Sequence, residues 1–253
     1  MEFVESGWNI KHVIKLIVMS DAYQRTSVCL DELRKLDPEN RLLARQASFR
    51  LPAELVRDNA LAVSGLLSPK MHGPSVKPYQ PSNYWYRLYK DGKYVTSTGE
   101  DQYRRGVYTY WRRSFWHPSL RAFDAPAREE CLAQRPRSNT PLQSLVLLND
   151  PTYVEAARAL ATKMLEEIKE DDARIAIAFE RAVGRKPDDV ERSILTEHLT
   201  AKRARFAEDE AAAKSLLSVG ELALPENIPL AELAAWTSVC RAILNLHETI
   251  TRP

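Results

Sequence analysis

Nine arginines and no lysine lie between Val95 and Thr162: Arg104, Arg105, Arg112, Arg113, Arg121, Arg128, Arg135, Arg137 and Arg158. The rest of the chain mixes fifteen arginines with twelve lysines. A guanidinium is a planar fork of donors that pairs side-on with carboxylates, phosphates and sulfates and stacks on aromatic rings, whereas an ammonium is a point charge. Tyr103, Tyr108, Tyr110, Trp111, Phe115 and Trp116 interleave with the first four arginines. On a strand, Tyr108, Tyr110 and Arg112 would share one face, with Val107, Thr109, Trp111 and Arg113 on the other. Such a face can hold an anionic sugar or a phosphate by stacking and paired hydrogen bonds. The structural alternative is that Arg104, Arg105, Arg112 and Arg113 pair with nearby carboxylates and tie the segment to its neighbours.

A second cluster is Arg128 to Asp150, REECLAQRPRSNTPLQSLVLLND. Arg135, Arg137 and Asn139 form a polar loop that enters a capped helix, whose free N–H groups and dipole attract anions. The same side chains would equally satisfy interior carbonyls. A third segment, Gly73 to Pro81, is proline-dense and extended, either a binding strap or a rigid cover. His117, Asp124, Glu129 and Asp150 are the candidate acid/base groups, each close in sequence to an arginine. Carbohydrate hydrolysis would need two such carboxyls about 5–10 Å apart. No catalytic motif accompanies them. The five histidines and three cysteines form no metal-binding or haem-attachment spacing, so no metal or cofactor is expected in this chain. Cys29, Cys131 and Cys240 read as small hydrophobes.

The totals are those of a globular protein: 253 residues, 44% hydrophobic, 28% charged, net charge +2. Bulk charge gives no support to a nucleic-acid or membrane-surface role. No apolar run reaches the ~20 residues of a membrane span. The chain opens without a basic and apolar leader, and in a helix already under way, which suggests the C-terminal part of a longer protein.

The expected fold is mainly α, one helical domain over residues 1–253 with a small antiparallel sheet inserted in the middle third. Ile10, Val13, Ile14, Ile17 and Val18 are spaced as a core-facing helical stripe. Asp37-Pro38 signals a helix start, and Pro52 another that Ser68-Pro69 stops. Prolines and glycines punctuate residues 69–120, where the sheet is expected. Aromatic and β-branched runs flank Asp91-Gly92, a hairpin signal, and Val107 to Trp111 is the best strand. Helices return at Thr140-Pro141-Leu142-Gln143, at Asp150-Pro151, over Arg174 to Val183, from a Asp188/Glu191 capping box toward Leu217, and after Pro229.

Several strings carry a resemblance: GPSVKPYQP (Gly73 to Pro81), YRRGVYTYWRR (Tyr103 to Arg113), FDAPAREEC (Phe123 to Cys131), RSNTPLQSLVLLNDP (Arg137 to Pro151) and LNLHETITR (Leu244 to Arg252). With the opening Phe3 to Ser27, they resemble the C-terminal domain of large planctomycete-type, cytochrome c-associated proteins, domain-of-unknown-function family 1553. The resemblance implies an exported protein with a haem c-bearing module upstream, and hence a periplasmic or other extracytoplasmic location. The family has no assigned reaction or catalytic residues. Three functions follow as expectations: recognition of an anionic polysaccharide or partner domain through the arginines; an enzyme acting on carbohydrate or its sulfate groups beside the upstream module; or a domain that docks on its upstream neighbours. The last expects an exposed apolar patch near residues 1–20.

Overall fold

The computed structural model describes residues 1–82, 84, 94–113 and 115–252. The chain is mainly α-helical and forms two compact units, residues 1–50 with 251–253, and residues 51–250.

The larger unit is built around two helices that are buried over most of their surface. In α-helical order it contains α5 (Ala53–Ser64), α6 (Pro118–Ala122), α7 (Pro141–Asn149), α8 (Pro151–Glu167), α9 (Asp171–Val183), α10 (Asp189–Glu208), α11 (Glu210–Leu217) and α12 (Leu230–Leu244), after α1 to α4 of the smaller unit. Helix α8 buries Tyr153, Ala156, Ala157, Leu160, Ala161 and Met164. Against it lies α12, with Leu233, Ala234, Ala235, Trp236, Val239, Cys240 and Ile243 fully buried. Alanines on both helices let the backbones approach, and larger side chains from α5, α9, α10 and α11 close the core around them. Burial pushes the Cys240 thiol well above its ordinary range, so it behaves as a hydrophobe.

The start and stop signals of this unit act as their chemistry dictates. Asp188 and Glu191 exchange bonds in a capping box that opens α10. Gly65 and Gly184 end α5 and α9 in the left-handed conformation. Helix α5 thus stops before the expected Ser68-Pro69. The helix from Asp188 ends at Glu208, and Asp209 caps the separate α11 by accepting from the Ala212 amide at 2.8 Å.

The middle third differs from the strand reading. Val107 to Trp111 is a 3-10 turn (Gly106–Tyr108) followed by extended chain, with one isolated parallel bridge between Val76 and Thr109. Two constraints bend it. The Gly106 amide donates to Asp58 on α5 at 2.6 Å, and a Cβ at Gly106 would meet the Glu54 carbonyl at 2.9 Å. The facing strap, residues 72–81, carries Pro74, Pro78 and Pro81, which have no N–H for a ladder. The hairpin expected around Asp91-Gly92 lies outside the described residues. Among the described residues the antiparallel sheet is elsewhere, pairing β1 (Phe49–Arg50) with β2 (Thr251–Arg252).

The smaller unit contains α1 (Glu2–Glu5), α2 (Ile10–Val18), α3 (Asp21–Gln24), α4 (Asp31–Leu36) and that sheet. Asn9 caps α2 and Ser20 caps α3 through their side chains. No helix starts at Asp37. Its carboxylate accepts from the Arg41 and Leu42 amides at 2.9 and 2.8 Å, and Asn40 and Leu43 take positive φ, which winds the chain into a turn. The α2 stripe forms as spaced, but it does not face a core. Ile10, Ile14 and Ile17 are 65, 52 and 54% exposed, and among residues 1–50 no hydrophobic side chain is buried.

Candidate functional site

The larger unit carries a groove of ≈ 680 Å³ between α6, the start of the strap's continuation at Pro81 and Tyr84, and the α7–α8 junction. Pro118, Leu142, Leu145, Val146 and Pro151 give it an apolar floor, and Arg121, Asp124, Asn149 and Asp150 give it polar edges. Each has a local reason for its place. Pro118 and Pro141 start α6 and α7 at their first helical positions. Leu142, Leu145, Val146 and Asn149 follow the i, i+3, i+4, i+7 spacing of one helix face. Asp150 ends α7 and caps α8, accepting from the Thr152 amide at 2.9 Å. Tyr84 stacks on Phe115 with centroids 4.4 Å apart.

Behind and beside the groove, buried and half-buried polar groups are tied into a hydrogen-bonded frame. The His117 ring donates through Nε2 to the Tyr79 carbonyl, 2.6 Å away. Since a carbonyl only accepts, Nε2 carries the proton. Burial holds this imidazole below its usual range, and the nearby Asp150 carboxylate opposes that shift. Burial likewise lifts the Asp150 carboxyl, opposed chiefly by His117. Arg57 reaches the same region from α5. Its guanidinium donates to the Arg104 and Gln102 carbonyls at 2.5 and 2.6 Å. Asp124, at φ 60, accepts from the Ser138 amide at 2.7 Å and from its hydroxyl at 2.8 Å. Gln143 does not complete a capping box at α7. Its amide instead donates to the Ala122 and Ser138 carbonyls, both at 3.1 Å, which fixes the loop ahead of that helix.

A second buried hub is centred on Glu155 of α8. Its carboxylate accepts from Tyr79 and Tyr103 hydroxyls at 3.1 and 3.0 Å and from the Leu222 amide at 2.6 Å, with Arg158 at 3.5 Å. Arg158 donates in turn to the Leu217 and Leu222 carbonyls. This hub joins the strap, the Gly99–Tyr103 turn and the α11–α12 connection. Neither Glu155 nor Tyr79 stood out in sequence. The available signal was a Glu-x-x-Arg pair inside an otherwise apolar, alanine-rich helix.

The arginines occupy several places. Arg104 is buried, donates to the Pro74 carbonyl at 2.9 Å and to that of His72, and lies 3.9 Å over the Tyr108 ring. Arg105 is exposed beside Asp58, on a separate groove of ≈ 440 Å³ with Leu51, Leu55 and Asn59. Arg112 is half-buried; Arg113, Arg137 and Asn139 are exposed. Arg128 stacks 4.0 Å over Trp111, and Arg135 pairs with Glu54 at 2.8 Å. Of the arginine block, Arg121 is the one on the larger groove, 5.4 Å from the Trp116 ring. Of the acid/base candidates, Asp124 and Asp150 line that groove, His117 lies behind Asp150, and Glu129 is exposed outside it. Among the described residues no group of three or more histidine, cysteine or acidic side chains is placed to hold a metal. Among them, too, no helix is long and apolar enough to cross a membrane.

Residues 1–199 match the family described as PSD1, protein of unknown function (DUF1553). The chain belongs to this family. The match takes in all four helices of the smaller unit, the strap, the groove and its arginines, and ends within α10. No curated protein and no solved structure matches the chain.

Proposed function

We propose that this PSD1-family chain is a docking and recognition module of an extracytoplasmic, multidomain protein. One observation carries the docking half: residues 1–50 bury no hydrophobic side chain, while α2 holds an ordered apolar stripe in solvent. A helix of nine residues is marginal in water without tertiary burial. The exposed set of Val4, Trp8, Ile10, Ile14, Ile17 and Met19 is therefore a surface built to be covered. The occupant of that surface is another domain of the same polypeptide, of which the cytochrome c-like neighbour implied by resemblance is the leading example.

Hydrogen exchange by mass spectrometry tests this. In the isolated chain, residues 10–19 should exchange within seconds while α8 and α12 are protected for hours. In the full-length protein the same segment should become protected. Protection of residues 10–19 in the isolated chain at the level of α8 would remove the docking reading.

The recognition half uses an anionic polysaccharide as ligand, with exposed Arg105, Arg113, Arg128 and Arg137 as its contacts. Retention on sulfated and carboxylated polymers as salt rises, compared with Arg→Ala variants, measures it. An enzymatic alternative is favoured by one observation, that Asp124 and Asp150 line a single groove with buried His117 next to Asp150. Release of reducing ends from polysaccharide, lost in Asp150→Asn, would support it.

A further inference from the structure

We infer that the groove at the α7–α8 junction is a saccharide-binding site, contacted by Tyr84, Arg121, Asn149 and Asp150. The inference rests on the recognition half of the reading above and is independent of the docking half. It also moves the ligand from the dispersed arginine surface to a concave site.

Three features favour this ligand chemistry. First, the groove pairs an apolar floor with polar edges of both signs. A pyranose alternates C–H faces with hydroxyls that both donate and accept, so it can use a carboxylate, a guanidinium and an amide together. A lipid chain would leave these groups unpaired, at a cost for each desolvated charge. Second, two of the three charged edge residues, Asp150 and Arg121, have capacity to spare. Among the described residues, the hydrogen-bond donors to Asp150 come from Thr152 alone. Among the same residues, the Arg121 guanidinium rests near Trp116 and makes no hydrogen bond or ion pair. Asp150 can thus accept from ligand hydroxyls, and Arg121 can donate to ring or hydroxyl oxygens, or to a uronate carboxylate. Third, the aromatic wall is braced. Tyr84, which lines the groove, stacks on buried Phe115, and an aromatic ring at such a wall can meet a sugar's C–H face. The site is also backed by hydrogen bonds from Ser138 to Asp124 and from Gln143 to the Ala122 and Ser138 carbonyls, so its edges are held in place before a ligand arrives.

Titration calorimetry on the whole chain tests the assignment. The probes are cellohexaose, mannohexaose and xylohexaose as neutral sugars and tetragalacturonate as the charged one. A synthetic decapeptide carrying leucine and lysine serves as the competing class. At least one oligosaccharide should bind. Arg121→Ala and Tyr84→Ala should each weaken it about tenfold or more, the effect of removing one charge-assisted or stacking contact. Asp150→Asn keeps an N-cap side chain for α8 and should weaken binding similarly. Preference for tetragalacturonate that disappears in Arg121→Ala would place a carboxylate at that edge; equal affinity for neutral sugars would place hydroxyls there. Either result supports the site. No sugar binding at about 10 mM, equal binding by all three variants with wild-type thermal stability, or binding of the peptide alone would each overturn it. Because α2 is untouched by these variants, failure here leaves the exchange result on residues 10–19 to stand or fall separately.

Discussion

Glu155 shows how much one buried charge can organise. Its carboxylate receives two phenol hydroxyls and a backbone amide, with a guanidinium beside it. Burial and that carboxylate push both phenols well above their ordinary range, so Tyr79 and Tyr103 remain donors at any working pH. Truncation by Glu155→Ala leaves Arg158 buried without its partner, which costs about 3–5 kcal/mol and should appear as a lowered midpoint in urea unfolding. Gly220 belongs to the same hub. At φ +90 its missing Cβ would lie 2.3 Å from the Glu155 carboxyl carbon, so Gly220→Ala should also destabilise, by strain and by clash.

His117 sets a pH dependence at the same scale. Its folded-state affinity for a proton is below that of an exposed imidazole. The unfolded chain therefore takes up this proton first, and stability falls as pH drops below about 6.5 toward the lowered folded value. Asp150 acts oppositely, because its raised value makes the folded state the tighter proton binder. Thermal unfolding between about pH 7.5 and 5 should show the loss, steeper in Asp150→Asn and reduced in His117→Gln. None of these buried partners was legible in sequence. Glu155 meets Tyr79, Tyr103 and Leu222, Arg57 meets Gln102 and Arg104, and His117 meets Tyr79, all far away in sequence, and spacing along a chain carries no record of such contacts. Asp124 and Asp150 were legible as chemistry-bearing groups, though not as walls of one groove.

At the scale of elements, local signals did well where a cap or a helical period decided the outcome. The Asp188/Glu191 box, the left-handed Gly184 and the Asp150-Pro151 start all sit where their side-chain chemistry puts them. Asp188→Ala should lower stability by about 1 kcal/mol, measured by chemical denaturation. They failed where tertiary contacts competed. Val107 to Trp111 has strand composition, but the pull of Asp58 on the Gly106 amide and the missing amides of the facing prolines leave one bridge. Likewise Asp37-Pro38 has the letters of a helix start, and the Asp37 carboxylate spends them on a closed turn. The α2 stripe carries the clearest lesson: periodicity reports that a face is apolar, and says nothing of what lies against it. Ile14→Glu should leave the midpoint of the isolated chain within about 0.5 kcal/mol of wild type, since an exposed side chain loses no burial.

For the molecule as a whole, the two units differ in what stabilises them. Residues 51–250 enclose a continuous core from Ala53 to Ile250, whereas residues 1–50 rely on caps, turns and a two-residue sheet. Trypsin should accordingly cleave first at Arg25, Arg34, Lys35, Arg41 or Arg45 and leave a resistant product beginning near Leu51, read by intact mass. Retention of the intact chain over the same period would contradict this difference. The family match runs through both units, so the uncovered segment is part of the domain that the family shares rather than an appendage to it.

The α7–α8 corner has a mechanical corollary. With the single residue Asp150 serving as the C-cap of one helix and the N-cap of the next, no longer linker separates them to act as a hinge. Any change of angle between them would sever the Val146–Asp150 or Asp150–Thr152 bonds. Residues 141–167 should superpose unchanged whether the concavity is filled or empty, and any adaptation to an occupant must come from the other walls, α6 or the Pro81 and Tyr84 side.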